Sequence, residues 1–152
     1  MNPSVLKTIA LAGLLAGTLD GLAASLLFIL RTGKNPMIVF QFIASGVFGK
    51  TAFSAGMEWW GILFHYGIAT GWTIVFFLLY PKISILQKNI IATGIGYGIV
   101  VWMGMNLIVV PLSRVQQGPF SLSNAIINMI ILMVCIGLPI ARLVSRHYRA
   151  RV

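Results

Sequence analysis

Four stretches of the chain, 8–30, 59–80, 90–110 and 122–144, are almost wholly apolar, and short polar breaks separate them. Each has about the 20 residues that an α-helix, rising 1.5 Å per residue, needs to cross roughly 30 Å of hydrocarbon. The breaks carry helix breakers: Gly33 and Pro36, then Pro81, then Pro111 with Gly118 and Pro119. This pattern predicts an all-α membrane protein in which residues 1–152 form a single four-transmembrane-helix bundle. Trp59, Trp60 and Tyr80 bound the second run, at the headgroup level that amphipathic rings prefer. Ser121 stands where it can cap the fourth helix, and Pro139 predicts a kink near that helix's far end.

The stretch 36–56 breaks the pattern. Its apolar part, 37–49, is too short to cross a bilayer, and a full span here would leave almost no chain to turn before Trp59. A short re-entrant or interfacial helix dipping into the membrane between the first and second spans is predicted, followed by a small-residue loop with Lys50, Ser54 and Gly56.

Composition agrees with this picture. The chain is 59% hydrophobic and 9% charged, whereas soluble domains have roughly 45–50% apolar and about 25% charged residues. Lys and Arg number 11 against 2 Asp and Glu. These cations lie between apolar runs and form no patch on a polar surface, so nucleic acid is not the expected partner; the lipid bilayer and its anionic headgroups are. With the N-terminus inside, Lys7, Lys82, Lys88, Arg142, Arg146, Arg149 and Arg151 face the cytoplasm, against Arg31, Lys34, Lys50 and Arg114 outside. That bias predicts a multi-pass protein of the bacterial inner (cytoplasmic) membrane, N-in and C-in. Residues 145–152 form a basic cytoplasmic tail, and Arg142 just before it, with Arg146, Arg149 and Arg151 within it, are expected to contact lipid headgroups. The start of the chain resembles a signal peptide, but Asp20 interrupts its apolar core and hydrophobicity runs on to Leu30, so a retained helix is expected. Cys135 is the only cysteine, which excludes an internal disulfide and a zinc cluster, and no cofactor or metal is expected.

Candidate chemistry is sparse. Gly13, Gly17 and Gly21 recur every four residues, as do Gly94 and Gly98, and such notches let another helix backbone approach closely, within the bundle or across a homo-oligomer seam. Asp20 falls near mid-span, where a charged carboxylate costs at least about 2.5–3.5 kcal/mol. It must be protonated, paired or facing water, as a functional group or as structural glue. His65, Asn106 and Asn128 fall at a similar depth, roughly 8–10 Å from the outer ends of their helices, and Asn124 lies one turn above Asn128. These positions predict an outward-opening polar pocket with Asp20 at its floor, the 36–56 segment as wall or lid, and Lys50 as a conceivable partner for Asp20. His65 reads as a proton relay or as a histidine hydrogen-bonded between helices.

Two motif matches fail on context. The run A-S-G-V-F-G-K-T from Ala44 to Thr51 mimics a phosphate-binding loop without its preceding strand or metal-holding acid. G-I-G-Y-G from Gly94 to Gly98 approaches a potassium filter but lacks the leading threonine and the pore helix. With two carboxylates and no nucleophile–base pair at workable spacing, no catalytic residue is assigned.

The pieces A-G-T-L-D-G at Ala16, I-A-S-G-V-F-G-K-T-A-F-S-A-G at Ile43, F-H-Y-G-I-A at Phe64, M-N-L-I-V-V-P-L-S at Met105 and G-L-P-I-A at Gly137 resemble a group of small, uncharacterised bacterial four-span inner-membrane proteins. More distantly, His65 followed by Y-P-K-I at Tyr80 and by V-P-L-S resembles the YagU-like inner-membrane proteins, with a shorter His-to-Pro spacing. The resemblance implies the membrane class and adds no reaction or ligand. The expectation is a small membrane protein that binds or conducts a small solute or proton, as a homo-oligomer, or else an accessory subunit of a larger membrane complex.

Overall fold

The computed structural model describes residues 3–116, 118 and 121–150, so Pro119 and Arg151 lie outside it. Six α-helices follow in order: α1 (Pro3–Thr32), α2 (Met37–Phe48), α3 (Glu58–Leu79), α4 (Ile85–Lys88), α5 (Ile90–Leu112) and α6 (Leu122–Arg149). Four of them, α1, α3, α5 and α6, are long and apolar enough to cross a membrane. The protein is an integral membrane protein of four spanning helices with a short helix between the first two. Leucines such as Leu22, Leu26, Leu63 and Leu78 are exposed, as they must be where the surrounding solvent is hydrocarbon.

Local chemistry sets the boundaries. Gly33, at φ +66°, ends α1 in a left-handed conformation, with its N–H donating to the Ile29 carbonyl. Asn35 Oδ1 then accepts from Met37 N–H at 2.9 Å and opens α2. Gly49, at φ +61°, closes α2 into a 3-10 turn, Gly49–Phe53. Asn89 Oδ1 accepts from Ile91 and Ala92 N–H at the start of α5, and Ser121 Oγ accepts from Asn124 N–H at the start of α6, the cap its position predicted.

Each proline-containing span relaxes in the same way. Proline has no N–H to give to the carbonyl four residues back and crowds it sterically. In α5, Val110, just before Pro111, donates five residues back to Met105, making a π turn over Met105–Val109. In α6, Leu138, just before Pro139, donates to Met133, making a π turn over Met133–Gly137. The bend expected at Pro139 thus takes the form of a widened turn before it. Beyond Pro139 the helix runs unbroken to Arg149, so the first part of the basic tail is a continuation of α6.

Packing places α1 between α3 and α6, with α5 against the far side of α6. The glycines make these contacts. A Cβ on Gly13 would stand 2.8 Å from Thr70 Oγ1, one on Gly17 2.9 Å from Tyr66 Cδ1, and one on Gly21 3.2 Å from His65 Nε2. On the other seam a Cβ on Gly94 would meet the Leu138 backbone at 2.9 Å, and Gly98 and Gly137 abut the backbones of Met133 and Gly94. Both predicted glycine notches are therefore occupied inside the chain.

The tightest packing lies toward the end that holds both chain termini, where Phe76, Tyr80, Tyr97, Val101, Ile140 and Val144 are buried. Tyr97 donates its hydroxyl to the Trp72 carbonyl at 2.5 Å, His147 Nδ1 shares a 2.7 Å hydrogen bond with Thr8 Oγ1, and Tyr148 stacks on Tyr80. At the opposite end neither Leu122–Leu132 of α6 nor the stretch from Met105 to Leu112 of α5 has a buried residue. There α2 acts as a crosspiece. Phe40 meets Gly61 and His65, while Phe48, two turns on, meets Trp60 and Phe64. Both contacts fall within little more than one turn of α3, so α2 runs steeply across α3 instead of plunging beside it. Its far end is tied to the chain after α5, where Arg114 N–H donates to the Gly46 carbonyl at 2.9 Å.

The glycine seams can be tested in pairs. Gly98→Ala, which forces a methyl into the Met133 backbone, is expected to cost about 1–3 kcal/mol, whereas Gly96→Ala, where a Cβ meets nothing within 4 Å, should stay within about 0.5 kcal/mol of the parent. Reversible unfolding in mixed micelles would measure both, and equal losses would remove the close-packing account.

Candidate functional site

The polar groups of the membrane interior divide into two sets. The first lies where α1 meets α3 and α6. Asp20 projects from α1, one turn beyond Gly17, and His65 is its ionisable neighbour. Cys135, in the π turn of α6, is also within electrostatic reach of Asp20. An intramembrane carboxylate thus lies within electrostatic reach of an imidazole on one helix and a thiol on another, where glue or proton chemistry is expected.

His65 is held where a glycine leaves it room. Its Nε2 lies 2.8 Å from the Gly17 carbonyl oxygen, and because a carbonyl only accepts, Nε2 carries the proton. The ring passes over Gly21, where an added Cβ would stand a tight 3.2 Å from Nε2 and in ordinary contact, 3.6 Å, with Phe40, so a larger side chain would displace the imidazole. Phe40 and Tyr66 stand edge-on to the imidazole, with ring centroids 5.9 and 5.6 Å away. Tyr66 extends the polar seam through a 3.0 Å hydrogen bond between its hydroxyl and Thr18 Oγ1. The glycine stripe of α1 is therefore both a packing surface and the slot through which a side chain of α3 reaches the backbone of α1.

His65 also faces a cleft. A recess of about 410 Å³ lies between α1, α2 and α3, walled by Thr18, Ser25, His65 and Tyr66 among apolar neighbours such as Leu22 and Phe40. His65 therefore belongs at once to the cleft wall and to the surroundings of Asp20. A larger space of about 630 Å³ opens between α2, α3 and α5, but its walls, which include Phe42, Phe64, Ile68, Met105 and Val109, are almost wholly apolar.

The remaining predicted residues do not join this cluster. Asn106 is exposed and donates back to the Trp102 carbonyl of its own helix at 2.8 Å. Asn124 accepts from Arg31 at 2.6 Å, a contact between the open ends of α1 and α6. Asn128 is exposed one turn below it. Equal depth puts Asn106 and Asn128 at one level, with Asn124 one turn above, but none of the three lines the cleft at His65. Lys50 is exposed on the 3-10 turn, and the ionisable group within electrostatic reach of Asp20 is His65, not Lys50. Arg142, Arg146 and Arg149 are all exposed on the last turns of α6.

Three contributors escaped the sequence reading. Tyr66 could have been inferred from its place beside His65, opposite the glycine stripe. Cys135 could have been inferred from Pro139, since it lies four residues before the proline, where the helix must loosen. Gln41, which donates to the Ser54 carbonyl and to Glu58 Oε2, both at 3.2 Å, and so pins α2 over the start of α3, left no signal. Compared with protein families, curated proteins and solved structures, the chain has no match.

The histidine's fixed tautomer is measurable. In nitrogen NMR of labelled protein, His65 is expected as the Nε2–H form when neutral. Gly21→Val should break the bond to Gly17 and mix the tautomers while leaving the helix content unchanged. An Nδ1–H majority in the parent would rule out the arrangement.

Proposed function

We propose that this membrane protein binds and passes a proton, or a small solute that carries one, through the junction of α1, α3 and α6, with Asp20 and His65 as the exchanging groups. One observation carries the reading: His65 both lines the cleft and is the ionisable neighbour of the mid-span Asp20. A proton arriving in the cleft meets an imidazole first and a carboxylate behind it. Transfer of a proton from one group of the pair to the other conserves the pair's net charge, whereas a proton taken up from the cleft raises it by one until that proton is released. Thr18, Ser25 and Tyr66 supply hydroxyls for water or a solute at the mouth. The cleft lies toward the end opposite the chain termini, which is the outer side if both termini are cytoplasmic, as the distribution of cations favours.

A second reading, an accessory or assembly subunit, is favoured by a different observation. Gly67 and Gly71 of α3 are exposed, stand four residues apart, and have nothing within 4 Å of an added Cβ. Since the other glycine notches are filled from within the chain, this is the stripe that a second chain, identical or foreign, would use.

Flux measurements separate the two. In proteoliposomes with a pH gradient, Asp20→Asn and His65→Ala should each insert normally and slow proton-coupled flux at least tenfold, while Gly67→Leu leaves it unchanged. For an accessory subunit, Gly67→Leu should abolish co-purification with a partner, and the purified chain should show no flux. Parental flux in both Asp20→Asn and His65→Ala would refute the transport reading.

A further inference from the structure

The strongest charge imbalance in the molecule lies at the other end of the bundle. Arg142, Arg146 and Arg149 fall on one face of α6 and are all exposed. The only side-chain carboxylates of the chain cannot balance them: Asp20 is at mid-span, and Glu58 opens α3 at the opposite end of the bundle. Their counter-charge must come from outside the protein's side chains.

The three guanidinium groups also share a shaped space. A groove of about 540 Å³ runs between the first turn of α5 and the last turns of α6, lined by Ile90, Ile91, Leu138, Arg142, Arg146 and Arg149, with Ser145 at its base. Its polarity is graded along the membrane normal. Leu138 lies about one turn deeper in the bilayer than Arg142, and Arg149 lies about 10 Å farther toward water. Ser145 is fully buried and turns its hydroxyl away to the Arg142 carbonyl at 3.0 Å, and the Ile91 and Ala92 N–H groups are taken by Asn89, so the arginines supply the charged donors of the groove. Guanidinium pairs bind phosphate oxygens in a bidentate fork, and an apolar wall leading down into hydrocarbon suits an acyl chain.

We propose that this groove holds one anionic phospholipid, its headgroup phosphate between Arg142, Arg146 and Arg149 and one acyl chain along Ile90, Ile91 and Leu138. A bound lipid neutralises a charge cluster that the chain leaves unbalanced and lies against the seam where α5 and α6 approach backbone to backbone. The site is independent of the Asp20–His65 junction.

Native mass spectrometry of the full chain, released from nanodiscs of phosphatidylglycerol and phosphatidylcholine, tests the assignment. The expected result is one retained phosphatidylglycerol per chain and no retained phosphatidylcholine. At about fivefold per cation, Arg146→Gln alone should weaken retention about fivefold, and the triple Arg142→Gln, Arg146→Gln, Arg149→Gln variant on the order of a hundredfold. Lys7→Gln with Lys82→Gln, which removes charge from the same leaflet, and Asp20→Asn should each leave retention unchanged. The site is overturned if phosphatidylcholine is retained equally, if the arginine variants still hold the lipid, or if the lysine variant loses it as readily. Displacement of the lipid by 10 mM inorganic phosphate would identify a free-phosphate site instead.

Discussion

Lipid tails are as apolar as leucine, so burying apolar surface does little to drive helices together inside a membrane, and close backbone contact has to do it. Here that contact is made at glycine. The stripe Gly13, Gly17 and Gly21 brings α3 onto α1, and the trio Gly94, Gly98 and Gly137 brings α5 onto α6. With α1 also against α6, these seams place three helices around Asp20 and let the imidazole of His65 bond a backbone carbonyl of its neighbour. A bulkier residue at Gly21 would close that route even if the helices still assembled.

The prolines act on the same seams from the other direction. A transmembrane helix that loses one N–H needs a new arrangement for the freed carbonyl, because no water is at hand. Both spans adapt one residue before the proline, where the N–H of Val110 or Leu138 bonds the carbonyl five residues back and the helix widens into a π turn. In α6 that turn carries Met133, whose backbone meets Gly98, and Cys135, which faces the Asp20 side of the bundle. Helix widening and close packing are therefore coupled at one place, opposite the ionisable pair.

The sequence makes the architecture plain and the site only partly so, for identifiable reasons. Spans are long-range averages of hydropathy, and the four runs emerge with their breakers; the shortness of 37–49 likewise reveals α2 as a helix that does not cross. Depth also follows from counting residues, which is why Asp20 and His65 come out near each other. Azimuth does not. Asn106 and Asn128 share a level, with Asn124 one turn above, yet none of them lines the cleft at His65, because rotation about the helix axis is decided by contacts between helices that no single segment encodes. Lys50 fails for another reason: it stands on the 3-10 turn that Gly49, at φ +61°, opens, and its side chain is exposed there.

The crossing of α2 over α3 has a mechanical side. The bundle is closely knit where the chain termini lie and loosely joined where α2 spans the gap. Few buried contacts make that end the one that opens at least cost, so work done on the bundle from that side would be taken up first by α2, the helix that roofs the cleft beside His65.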